Sequence, residues 1–171
     1  MAKITLTGFD EYVRKIEDLK ADVTKICKAT VYPGAGILAE AVRKEVDALP
    51  TIRDSEALEN FRSGEVQPSL SVRQKAGLQK SLGISSIKKE SSGSVQASVG
   101  FPGYNSVRTQ HFPNGQPNAE VARSLEKGTS YLQRDPFMSR AVRAAKKAAV
   151  AAMAEECDNQ IARVMGGQAG E

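Results

Sequence analysis

The chain has 171 residues, 40% of them hydrophobic and 26% charged, with aromatic residues at only 5% and no tryptophan. That composition excludes a disordered or fibrous chain and suits one globular domain over residues 1–171, whose core rests mostly on Ala, Val, Leu and Ile. The net charge of +4 fits contact with nucleic acid or with an acidic protein surface and demands neither.

"KITLTG", residues 3–8, alternates Ile4 and Leu6 with polar neighbours and predicts a short half-buried strand ended by Gly8. The opening "MAKITLTGFD" has no apolar targeting core, and no stretch reaches the length of a membrane span. The expected place of synthesis and residence is the cytoplasm. From Asp10, placed as a cap, Tyr12/Val13, Ile16, Leu19, Val23 and Ile26/Cys27 recur every three or four residues, the period of an amphipathic helix. A break follows, and the helix restarts with Pro33 in its first turn. Ile37/Leu38, Ala41/Val42, Val46 and Leu49 form its apolar stripe, and Pro50 ends it. The "PGAG" glycines lack the Gly-Lys-Ser/Thr that a phosphate-binding loop requires.

Residues 51–70 are polar and weakly periodic, a possible insertion holding one short helical turn. A second short helix is predicted over Ser71–Leu82, stopping at Gly83. "ISSIKKE" and "SVQASVGF" then flank "SSG" as a β-hairpin, with Val95, Ala97 and Val99 on one face. Residues 101–118, dense in Pro, Gly, Asn and Ser, form a long aperiodic loop, either flexible or ordered by a neighbour. "AEVARSLEKGTS" makes a short helix or turn with Val121 and Leu125 on one side. Asp135 is placed to cap the last helix, with Pro136 in its first turn and an end near Val164. At 1.5 Å per residue this helix is roughly 40 Å long, more than a small domain needs to cover its own sheet. The expected class is therefore α+β, a small antiparallel β-sheet packed by amphipathic helices, with a long C-terminal helix.

Catalysis finds little support. The carboxylates interleave with Lys and Arg on helix faces, as ordinary surface pairs do. His111, the single histidine, sits in the long loop, and Cys27 and Cys157 are far apart. Neither a nucleophile triad nor a metal-ligand spacing can be assembled from them. No catalytic residue, cofactor or metal is expected. The charges of the last helix are arranged unusually. Arg134, Arg140, Arg143, Lys146 and Lys147 gather at its start, and Glu155, Glu156 and Asp158 lie further along. This runs against the helix dipole, which favours acids at the N-terminus. The basic end is a candidate face for DNA or for the acidic end of an adjacent subunit, with Glu155 and Glu156 as its acidic counterpart. No aromatic stacking positions accompany it, so sequence-specific DNA reading is not expected.

"VARSLEKGTSYLQRDPFMSRAVRAA" resembles the C-terminal signature of the neck, tail-completion or head–tail joining (minor tail) proteins of long-tailed bacteriophages and prophages. That signature pairs a Glu-x-Gly-Thr turn with a Pro-Phe step into the final helix, met here by Glu126, Gly128, Thr129, Pro136 and Phe137. "KAGLQKSLGI" is similar to the family's Thr-Gly-x-Leu-x-x-Ser-Ile segment, with Gly77, Leu78 and Ser81 in register and Ala76 and Leu82 as departures. "LTGFDEYVRKIEDL" is similar to the family's start. The resemblance spans most of the chain, with residues 51–70 and 101–118 as departures. It implies a homo-oligomeric, sixfold ring around the DNA channel, in contact with other neck, connector and tail-tube proteins and, non-specifically, with DNA in the lumen. It implies no membrane partner, assembly in the host bacterial cytoplasm and a final place in the virion. A tail terminator capping the tail tube is the nearest alternative. A small cytoplasmic nucleic-acid-binding regulator is the alternative of another class.

Overall fold

The structure, a computed structural model, describes residues 9–89 and 95–166. The strand expected over residues 3–8 and the "SSG" turn lie outside the described residues. Helix α1 runs from Phe9 to Ala48 as 40 continuous residues with Pro33 inside it, so Asp10 lies within its first turn. The break expected at Pro33 does not occur. A proline inside a helix costs about 3 kcal/mol or more, through a lost amide donor and a ring clash. Tertiary packing outweighs that cost. Helix α5 (Phe137–Met165) lies along α1 in the most extensive packing between any two elements, and Met153 rests against Gly34, the residue after the proline. Since Arg140 meets Glu45 while Met153 meets Gly34, the two helices run antiparallel. No helix among the described residues is long and apolar enough to cross a membrane.

Residues 51–70 hold more order than their sequence suggests. Two-residue strands β1 (Thr51–Ile52) and β2 (Leu70–Ser71) pair in parallel. Between them α2 (Asp54–Ser63) makes a 10-residue helix. Asp54 and Glu56 in its first turn and Gly64 at φ 74° after its last residue are helix start and stop signals in the segment's own sequence. Helix α3 (Val72–Ser81) falls where expected. Ser71 and Gln74 form a reciprocal capping box, the Gln74 amide donating to Ser71 Oγ at 3.4 Å and the Ser71 amide to Gln74 Oε1 at 3.0 Å.

The hairpin forms as two antiparallel ladders. Strand β3 (Gly83–Ile84) pairs with β6 (Val99–Gly100), and β4 (Lys88–Lys89) with β5 (Val95–Gln96). Val95, Ala97 and Val99 are half-buried while Gln96 and Ser98 are exposed, which is the alternation expected. Helix α4 (Asn118–Lys127) buries Val121, Ala122 and Leu125 on one side. These helices and small antiparallel ladders make an α+β fold. The core sits where the C-terminal half of α1, the start of α5, α3 and α4 converge, around Val42, Val46, Leu78, Leu125 and Phe137.

The 101–118 segment is ordered by its own backbone rather than by a neighbour. The Asn105 amide donates to the Gln116 carbonyl at 2.9 Å, Gln116 to Val107 at 3.0 Å and Asn118 to Gly103 at 3.0 Å. Asn105 and Asn118, both buried, then press against Gly77 in the middle of α3. A Cβ at Gly77 would lie 2.5 Å from Asn105 Cβ and 2.7 Å from Asn118 Oδ1, so only glycine lets the folded loop seat on α3.

Two helical glycines should therefore respond with opposite sign. Gly36 has nothing within 4 Å of a Cβ, and Gly36→Ala should stabilise by about 0.5–1 kcal/mol through helix propensity. Gly77→Ala should instead cost a net ~1–3 kcal/mol, because overpacking against Asn105 exceeds that gain. Urea unfolding of the two variants beside the wild type measures both, and stabilisation by Gly77→Ala would contradict the tight seat.

Candidate functional site

The residues singled out by the family-like signature come together in one corner between α4 and α5. Helix α4 ends at Gly128, whose φ of 75° suits glycine, and whose amide donates to the Ser124 carbonyl at 2.8 Å. A side chain there would also collide with the returning chain, since a Cβ would stand 2.9 Å from Arg134 Cβ. Thr129 holds the turn from inside. Its hydroxyl accepts from the amides of Tyr131 at 3.2 Å and Leu132 at 3.1 Å, and its own amide donates to the Leu132 carbonyl at 2.9 Å. Gln67 clamps the turn from the other side, its amide donating to the Tyr131 carbonyl and its carbonyl accepting from Gln133, both at 2.8 Å.

The chain then steps into α5. Pro136 occupies the position before the helix rather than its first turn, and Asp135 does not cap. The Asp135 carboxylate is held by the Arg140 guanidinium. The cap comes from Glu126, on α4, which accepts from the Met138 amide at 2.9 Å and the Ser139 amide at 3.2 Å, and also binds the Ser139 hydroxyl. A carboxylate thus sits on the free amides at the positive end of the long helix. Phe137, wholly buried, closes the corner against Phe101, with ring centroids 6.0 Å apart and planes at 50°.

The five basic residues at the start of α5 do not act as one patch. Arg134 Nε donates to the Glu126 carbonyl at 3.3 Å. Arg140 binds Asp135 and, at 2.8 Å, Glu45 on α1. The hydrogen bonds it donates to Asp135 and then to Glu45 hold the Arg140 pKa above its ordinary value. Arg143, Lys146 and Lys147 are exposed and have no partner among the described residues. The i,i+4 spacing places Arg143 and Lys147 on one face, with Lys146 turned towards a groove beside the hairpin. Glu155 is exposed, and Glu156 accepts from Gln160 at 2.5 Å.

Beside the corner lies an open cleft of about 420 Å³, lined by Phe61, Phe112, Tyr131 and the amides of Gln67, Gln74 and Gln116, with Glu120 as its charged member. The sequence reading missed this cleft, because its walls come from α2, the folded loop and the corner. His111 is exposed, and Cys27 and Cys157 are free and half-buried. No group of three or more His, Cys, Asp or Glu among the described residues is placed to hold a metal ion. Comparison with family models, with curated proteins and with solved structures yields no match.

Glu126→Ala should cost about 1–2 kcal/mol, the size of a lost helix cap. Glu126→Gln keeps one of the two acceptor oxygens and turns the other into an NH2 that faces a backbone amide donor. It should cost at least half as much, losing one backbone hydrogen bond and the interaction of the charge with the dipole. Equilibrium denaturation of both variants tests the assignment, and an Ala variant as stable as the wild type would remove Glu126 as the cap of α5.

Proposed function

We propose that the chain is a non-enzymatic structural subunit of a ring around the DNA channel, at the joint between head and tail of a long-tailed bacteriophage or prophage particle. The supporting observation is how the signature residues are used. Glu126, Gly128, Thr129, Pro136 and Phe137 serve one corner, as helix cap, positive-φ turn, turn lock, helix entry and core ring. Gly77 and Leu78 of the second family-like segment serve the same core, as loop seat and wholly buried side chain. Residues at a neck-protein spacing that act on backbone and core describe a scaffold. The chemistry they supply is geometric: they aim α5 along α1.

In this reading the subunits are made in the host bacterial cytoplasm, close into a ring whose implied symmetry is sixfold, and end in the virion beside connector and tail-tube proteins. The unpartnered Arg143 and Lys147 supply a non-specific contact with DNA phosphates in the lumen. Electron microscopy of an induced lysate lacking the gene tests the reading. Filled heads beside detached tails of normal length are the expected outcome. Overlong tails would reassign the protein as the terminator of the tail tube. Normal, intact particles would overturn the neck assignment, and retention of the isolated chain on non-specific DNA, falling steeply with salt, would then favour the nucleic-acid-binding regulator.

A further inference from the structure

We infer that two separate surfaces of this chain are the two halves of one head-to-tail subunit contact, the exposed face of α2 on one copy seating in the groove between α1, α5 and the hairpin on the next. The inference rests on the ring reading and names its interface. A ring closes only through heterologous contacts, in which each subunit offers two different, complementary surfaces.

The first surface is an apolar helix face that also forms one wall of the cleft beside the corner. Helix α2 buries none of its residues. Leu58 and Phe61, three apart and so on one face, are 49% and 58% exposed, and Val66 and Tyr131 extend the patch at 54% and 56%. The Phe61 and Tyr131 rings lie 6.1 Å apart. Large side chains grouped this way on an ordered helix mark a contact surface. The second surface is concave and apolar. Val31, Leu38, Val99, Val142, Val150 and Met153 line an open groove of about 370 Å³, with Val142 and Val150 exposed in it. A helix face laid into such a groove is a recurrent mode of recognition.

Charge sets the pairing. Around the α2 patch, Glu56, Glu59 and Glu65 join Asp54, against Arg53 and Arg62, and Asp54 is already taken by Arg73 at 3.2 Å. The neighbouring cleft adds Glu120. The groove carries Lys146 as the charged residue of its lining among the described residues. Lys88 and Lys89 stand on β4, paired to the β5 strand that forms its wall. A mildly acidic apolar ridge is thus complementary to a basic apolar groove, which favours ridge-to-groove pairing over either surface meeting its like. The two cannot meet within one molecule. About 21 Å of helix separates Gly34 beside the groove from Ala48, and α2 begins beyond that end.

Complementary substitutions test the contact. Phe61→Glu in the ridge and Val150→Glu in the groove alter exposed positions, and Leu58→Glu and Val142→Glu serve as second representatives. Circular dichroism should show wild-type helicity for all four. In sedimentation velocity each variant alone should lose assembly and run as a monomer. An equimolar mixture of one ridge and one groove variant should give dimers and nothing larger, because each mixed pair keeps one intact ridge and one intact groove. A mixture that stays monomeric, or folded variants that assemble like the wild type, would overturn the inference. The two readings fail separately: a wild-type assembly that no substitution disturbs overturns this interface alone, whereas a wild-type chain that remains monomeric overturns the ring as well.

Discussion

The Glu126 carboxylate on the first amides of α5 has a counterpart at the adjacent end of α1. There Pro50 stops the helix and Lys75, on α3, donates to the carbonyls of Asp47 at 2.9 Å and Leu49 at 2.8 Å. Two long antiparallel helices bring a positive and a negative end together, and each end is closed by an opposite charge from a short helix. Free amides and carbonyls at a helix end beside a core need such partners, because burying them unpaired costs about as much as a lost hydrogen bond. The short helices α3 and α4 are thereby fixed to the ends of the long pair. Arg140 ties the two ends to each other through Glu45 and Asp135. The core and the folded loop are arranged around that junction.

Charge order along α5 follows from the same junction. Five bases at a helix N-terminus oppose its dipole when the helix is taken alone. In the folded chain Glu126 brings an acid to that end from α4. Arg134 donates to a backbone carbonyl of the corner, and Arg140 serves as a bridge between helices. What reads in sequence as one cationic patch is divided between scaffold and surface, with Arg143, Lys146 and Lys147 exposed and without a partner among the described residues.

Local signals were legible where the answer was local. The short helix starting at Ser71, the apolar side of α4, the alternation in β5 and β6, and the extent of α5 were all readable within a few residues. The corner motif was legible as a motif, yet its cap was assigned to Asp135, the nearest acid, because the separation of 12 positions from Glu126 to Met138 spans a turn that sequence does not fold. Pro33 misled in the same way. Its helix-breaking tendency is intrinsic, and the packing that overrides it comes from α5, more than a hundred residues on. The 101–118 segment had no period because its order is a set of backbone bonds closing on themselves, which leave no hydropathy pattern. Helix α2 carried its start and stop signals openly. Its lack of a buried side left no stripe to find, and a polar segment without a stripe reads as a loop.

That last failure bears on how scaffold and surface divide the chain. Periodicity detects a helix through the face it buries, so a helix that leaves its apolar residues exposed is the kind it overlooks. The signature residues behave in the opposite way. Glu126, Gly128, Thr129 and Phe137 are satisfied by the chain's own backbone and core, which makes them recognisable and leaves them nothing to bind with. A family likeness resting on such residues carries the direction of α5 and the shape of the corner. On the proposed reading a partner is met by side chains the fold does not consume: the apolar face of α2, the groove beside the hairpin, and Arg143, Lys146 and Lys147, which have no partner among the described residues.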